Sequence, residues 1–165
     1  PSGCRFHTRC PEVIQPDGID MPQEEWRNVM DFRQQVDRGT FDLEAIVEVH
    51  AIESGEYEHV EDITVDDVDD ETIVQWLRDE YDLPQQLSDP TADVAVDSAL
   101  TEIAAEDLTA ARKSLGAELT TVCEGDAPVL ESHDGTGHLS ACHLNDDAKP
   151  GTPEPAQQPQ TPHSE

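Results

Sequence analysis

Four cysteines, Cys4, Cys10, Cys123 and Cys142, carry the most distinctive chemistry in this sequence. Thiolates are soft ligands. Four that converge can close a tetrahedral zinc site or hold the corners of an iron–sulfur cluster. Five residues separate Cys4 from Cys10, and eighteen separate Cys123 from Cys142. Zinc sites commonly use knuckles with about two to four residues between cysteines. A cluster tolerates wider spacing, because each cysteine meets a different iron, so the spacing favours iron–sulfur over zinc. Two other fates stay open on spacing alone: two disulfides in an exported protein, or free thiols acting as small buried side chains.

The remaining candidates are read against these sulfurs. His7 and His143 each stand beside a cysteine segment. His7 reads as an ordered loop histidine, and His143 as a neighbour that could hydrogen-bond a metal-bound sulfur. Arg5 and Arg9 lie next to two thiols, where they could offset cluster charge or be surface residues. His50 falls on an apolar helical stripe and reads as a core histidine. His133, His138 and His163 read as exposed loop or tail residues. The run Asp66, Asp67, Asp69, Asp70, Glu71 lacks the central glycine and spaced oxygens of a calcium loop and reads as a solvated helix start. No nucleophile–base–acid set stands out, so no catalytic residue is assigned.

Elements must bring the cysteines together. Residues 1–20 form a Cys/Gly/Pro loop without periodicity, residues 21–122 a helical segment, residues 123–144 a second loop segment, and residues 145–165 a Pro-rich disordered tail. Pro22 suits the first turn of the first helix, with Glu24 and Glu25 at the positive end of its dipole and Trp26, Val29, Met30, Phe32 and Val36 on one face. Gly39 stops it. Thr40 caps a second, with Leu43, Ile46, Val47 and His50 on a stripe and Gly55 beyond. A third starts near Asp66 or Asp67, buries Ile73, Trp76, Leu77 and Tyr81, and closes at Pro84. Two more carry Val96, Leu100 and Ile103, then Leu108, Ala111, Leu115, Leu119 and Val122. Short helices with short connections pack as hairpins. The expected fold is therefore mainly α: a small helical domain with a Cys-rich loop region at its two ends.

Among 165 residues, 38 acids oppose 9 bases, a formal charge of −29. Such a surface repels nucleic-acid backbone and anionic lipid. Lys113 and Lys149 are the only lysines. Dispersed acid with few lysines suits a halophilic protein, whose charges are screened by concentrated salt. No apolar run approaches the roughly 20 residues a bilayer span needs, so no direct membrane insertion is expected. The sequence opens on Pro1 rather than Met and is read as a possible fragment.

The opening Pro1-Ser2-Gly3-Cys4-Arg5-Phe6-His7-Thr8-Arg9-Cys10-Pro11 resembles the C-terminal extension of oligopeptide/dipeptide ABC transporter ATP-binding subunits, with its P-x-G-C-x-F-x-x-R-C-P pattern. That pattern continues with a third cysteine, a short acidic stretch with a proline, and A-C-H. Here Cys123-Glu124, Pro128-Val129-Leu130 and Ala141-Cys142-His143 stand in those places. The family's third cysteine usually follows the second closely. Asp17 lies near that place here, so residues 21–122 are similar to a long helical insertion. The resemblance implies a 4Fe–4S cluster on Cys4, Cys10, Cys123 and Cys142; the alternative reading, apart from the resemblance, is a zinc-stapled interaction module unrelated to transport. It also implies a cytoplasmic place at the inner face of the plasma membrane. The partners it implies are an ATPase domain upstream or a partner ATP-binding subunit, and membrane permease subunits. The chain lacks G-x-x-x-x-G-K-[ST], the transporter signature, and the apolar strand ending in Asp-Glu. It is therefore expected not to be an enzyme itself, and ATP would bind only in the upstream domain.

Overall fold

Pro22 stands immediately before helix α1 (Gln23–Arg38), and its carbonyl accepts the Trp26 N–H at 2.9 Å. The computed structural model describes residues 3–55, 57, 63–132 and 139–145. Trp26, Val29, Met30, Phe32 and Val36 of α1 are buried as their spacing predicts. Gly39 ends the helix at φ 66°, a left-handed conformation that glycine adopts without a Cβ penalty.

Helix α2 (Leu43–Ser54) is capped by Asp42, whose carboxylate accepts the Ala45 N–H at 3.0 Å. Thr40, expected as the cap, lies two residues too early to reach the free N–H groups. Its hydroxyl turns back to Gln35 at 3.2 Å. Helix α3 (Asp70–Glu80) likewise starts later than expected, with Asp69 accepting the Thr72 N–H at 3.0 Å. Asp66 and Asp67 occupy a separate 3-10 turn, Val65–Asp67. Bonds from Thr64 hold the Asp67 carboxyl below the usual value, and bonds from Thr72 do the same for Asp69. These carboxylates are engaged in capping, as the solvated-helix-start reading requires. His50 is half-buried rather than fully enclosed. It stacks on Trp76 at 5.7 Å, and its Nε2 lies 3.5 Å from Glu80.

Helices α4 (Pro90–Ala104) and α5 (Leu108–Glu118) are capped by Asp89 and Asp107 and fold back on each other across three residues. α1 packs on α5, α5 on α4, α4 on α3 and α3 on α2. Trp26, Phe32, Ile73, Leu77, Leu100, Ile103 and Leu115 fill the space between them, each less than 2 % exposed. Burial of this apolar area is the main favourable term holding the layer arrangement. Leu119 closes α5, so Val122 belongs to a further element, α6 (Val122–Gly125), where the sequence reading placed the end of the fifth helix.

Residues 3–21 contain no α-helix yet are firmly attached. Val13, Ile14, Ile19 and Met21 are buried, the Trp26 indole donates to the Val13 carbonyl, and the Asp20 N–H donates to Asp89. The protein is mainly α. Among the described residues, β pairing is confined to one antiparallel bridge, Glu131 to Ser140. The expected Pro-rich tail from residue 146 onward, and His133, His138 and His163, lie outside the described residues. No helix among the described residues is long and apolar enough to cross a membrane.

Candidate metal centre

Thr121-Val122-Cys123-Glu124 is a capping box. The Thr121 hydroxyl oxygen accepts the Cys123 N–H at 3.2 Å, and the Glu124 carboxylate accepts the Thr121 N–H at 3.1 Å. One short turn thereby fixes the orientation of Cys123. Arg33 of α1 anchors this turn to the helical body. It is buried, and its Nη1 donates to the Glu124 carboxylate at 2.6 Å and to the Leu119 carbonyl at 2.8 Å. The Thr121 hydroxyl also donates to the Ile14 carbonyl at 2.6 Å. The third cysteine is therefore tied to both α1 and the first loop.

The first loop docks directly on that turn. The Cys4 N–H donates to the Cys123 carbonyl at 2.7 Å. Gly3 makes this approach possible, because a Cβ there would lie 2.4 Å from the Glu124 carbonyl oxygen. Its φ of 81° also lies in the region that favours glycine. The chain then turns. The Cys4 carbonyl accepts the His7 N–H at 3.2 Å, and the His7 Nδ1 stands 2.6 Å from the same oxygen. A 3-10 turn, His7–Arg9, delivers Cys10, which packs half-buried against the core.

Cys142 arrives from the other end. Its carbonyl accepts the Asn145 N–H at 3.0 Å, opening the 3-10 turn His143–Asn145. His143 is buried, with its Nε2 2.8 Å from the Asp126 carbonyl, just past α6. The following residue, Leu144, shares a cleft with residues 12–20 of the first loop. All four cysteine-bearing segments thus gather at one end of the helical body.

The sulfurs themselves are free thiols. Cys123 is buried, and burial pushes its thiol above the usual value. Bonding from the Ile14 backbone acts the other way, while Cys4 and Cys10 are near enough to add repulsion. A buried thiol of this kind stays neutral until a cation holds it as thiolate. Three of the four expected ligands therefore share one electrostatic neighbourhood, and the donor set is soft and unbridged, as zinc or iron–sulfur chemistry requires. As placed, no three His, Cys, Asp or Glu side chains among the described residues are grouped closely enough to hold a metal ion. The four thiols are of a donor type that zinc and iron–sulfur clusters take, and as placed they do not form a metal site.

Arg9 is exposed, and its backbone N–H donates to the Phe6 carbonyl at 2.9 Å. His143 uses Nε2 on a backbone carbonyl and so positions the segment that carries Cys142. Arg33, Thr121 and Ile14 escaped the reading of the sequence, and Gly3 and Glu124 entered it only as members of the two motifs. The T-x-x-E spacing at 121–124 was a usable signal. An arginine inside the apolar stripe of α1 was another, since a buried arginine needs a partner.

No curated protein and no solved structure matches this chain. A family profile described as a domain of unknown function, DUF8228, matches residues 23–136. It begins at the first residue of α1, takes in the six α-helices of the described residues and Cys123, and leaves Cys4, Cys10 and Cys142 outside its bounds. With most of its length matched, the chain belongs to the DUF8228 family.

Proposed function

We propose that this chain is an accessory C-terminal domain of an oligopeptide/dipeptide ABC transporter ATP-binding subunit, and that Cys4, Cys10, Cys123 and Cys142 hold a 4Fe–4S cluster. The observation that carries the reading is the direct bond from the Cys4 N–H to the Cys123 carbonyl. It sets the first and third cysteines of the transporter-like pattern side by side, although 118 residues lie between them in the chain. Bound there, the cluster would supply a covalent staple between the chain ends. The protein's own share is positional. Thr121 and Glu124 orient Cys123, and Arg33 ties that turn to α1. The helical body then presents a surface to a partner ATP-binding subunit or permease, while ATP chemistry belongs to an upstream domain.

Reconstitution tests this. Full-length chain is incubated without oxygen with ferrous iron and sulfide, or with zinc, and desalted. Iron and acid-labile sulfide in equal amounts, with a broad visible absorption band, support the reading. Retention of zinc with no uptake of iron and sulfide overturns it in favour of a zinc-stapled interaction module.

A further inference from the structure

Most helices here bury one face and leave a polar one outside, but α2 has two apolar faces. Val47 and Ala51 point into the core, with Leu43 and Ile46 partly buried beside them. On the opposite side Ala45, Val49 and Ile52 recur at the i, i+4, i+7 spacing of a single helical stripe. All three are exposed, Val49 at 49 % and Ile52 at 57 %. Exposed apolar residues scattered singly need no explanation, whereas an aligned stripe on one helix marks a contact surface. Helical geometry puts Glu44 and Glu48 along one edge of the stripe and Glu53 along the other. α2 contains no lysine or arginine.

This charge pattern selects the occupant. A second copy would set carboxylates against carboxylates on a chain that already carries −29. Anionic lipid and nucleic acid are repelled for the same reason. An apolar stripe with bases on both edges is complementary in shape and in charge. We propose that the outward face of α2 docks a basic amphipathic helix of a partner protein, its apolar side on Ala45, Val49 and Ile52 and its bases opposite Glu44, Glu48 and Glu53. The surface is separate from the cysteine end and stands whether or not a metal binds there.

The probe is a leucine–lysine amphipathic helical peptide, titrated into the full-length chain by calorimetry at several salt concentrations. Any cationic peptide is attracted to so acidic a protein, so the deciding variant is Val49→Glu with Ile52→Glu. It removes the apolar stripe and adds two negative charges. The proposal expects affinity to fall by about tenfold or more in this variant. It also expects little change for Val94→Glu, at a still more exposed valine on α4 (66 % exposed). Val49→Ser with Ile52→Ser should weaken binding in the same direction without added charge, and circular dichroism should be unchanged in all three. Equal or tighter binding by the double glutamate variant means general charge attraction and overturns the proposal. A concentration-dependent dimer of the unaltered chain that the same variant dissolves also overturns it, assigning the face to a second copy.

Discussion

Gly3 is a residue whose side chain must be a hydrogen atom. The carbonyl oxygens of Cys123 and Glu124 lie 2.5 and 2.4 Å from where a Cβ would stand, and both belong to backbone that cannot swing aside. Gly3→Ala should therefore lift the first loop from α6 and break the Cys4–Cys123 bond. The expected cost is about 1–3 kcal/mol, from the clash and the positive φ together. The specific readout is the thiol of Cys123, which is buried in the native protein. Alkylation of Cys123 should speed up in Gly3→Ala while the far-UV spectrum of the helices stays native. Unchanged alkylation would show that the loop does not dock there. The four cysteines could be read from the sequence because the motif spacing at each end is local. The contacts that seat them could not. Arg33 meets Glu124 across 91 residues and Thr121 meets Ile14 across 107, and no local pattern reports pairings at such distance.

Helix caps decide where each element begins, and Asp89 shows how a cap also attaches a loop. One carboxylate oxygen accepts the Thr91 and Ala92 N–H groups, both at 2.9 Å, and the other accepts the Asp20 N–H at 3.1 Å. Burial pushes this carboxyl up, but the bonds from Ala92, Asp20 and Thr91 outweigh it and leave it below its usual value. A lowered folded-state pKa means that the charged group stabilises the native state above the unfolded value. That contribution is lost as pH falls through the folded value. Asp89→Ala should cost about 1–2 kcal/mol at neutral pH by urea denaturation. The gap from the unaltered chain should narrow below about pH 4. A gap that stays constant or widens in acid would contradict this role. At this scale the sequence was a good guide to where helices lie and a poorer one to where they start. The apolar faces of α1 and α4 are buried as their periodicity predicts, whereas Tyr81, just past α3, and Leu108, at the start of α5, are only half-buried. The caps at Asp42 and Asp69 were displaced because several acids and hydroxyls compete within a few residues, and only the three-dimensional reach of each side chain decides between them. α6 was missed because four residues show no period.

At the scale of the whole molecule, charge is the governing fact. A chain at −29 repels itself, and salt shortens the range of that repulsion from about 10 Å at 0.1 M to about 3 Å at 1 M. The thermal midpoint should rise by several degrees between those concentrations of potassium chloride, and a flat or falling midpoint would contradict the halophilic reading. The mainly helical architecture was legible from composition and periodicity. The first loop gathers onto the Cys123 turn through the Cys4–Cys123 and Ile14–Thr121 bonds, and Arg33 ties that turn to α1. The claim that depends on this gathering is that all four sulfurs ligate one cluster. Mass-spectrometric mapping of alkylated thiols, on full-length chain before and after anaerobic loading with iron and sulfide, tests it most directly. The account predicts that Cys4, Cys10, Cys123 and Cys142 are protected together in the loaded protein and become reactive together after chelation. Alkylation of any one of them at the same rate with and without iron and sulfide would contradict it.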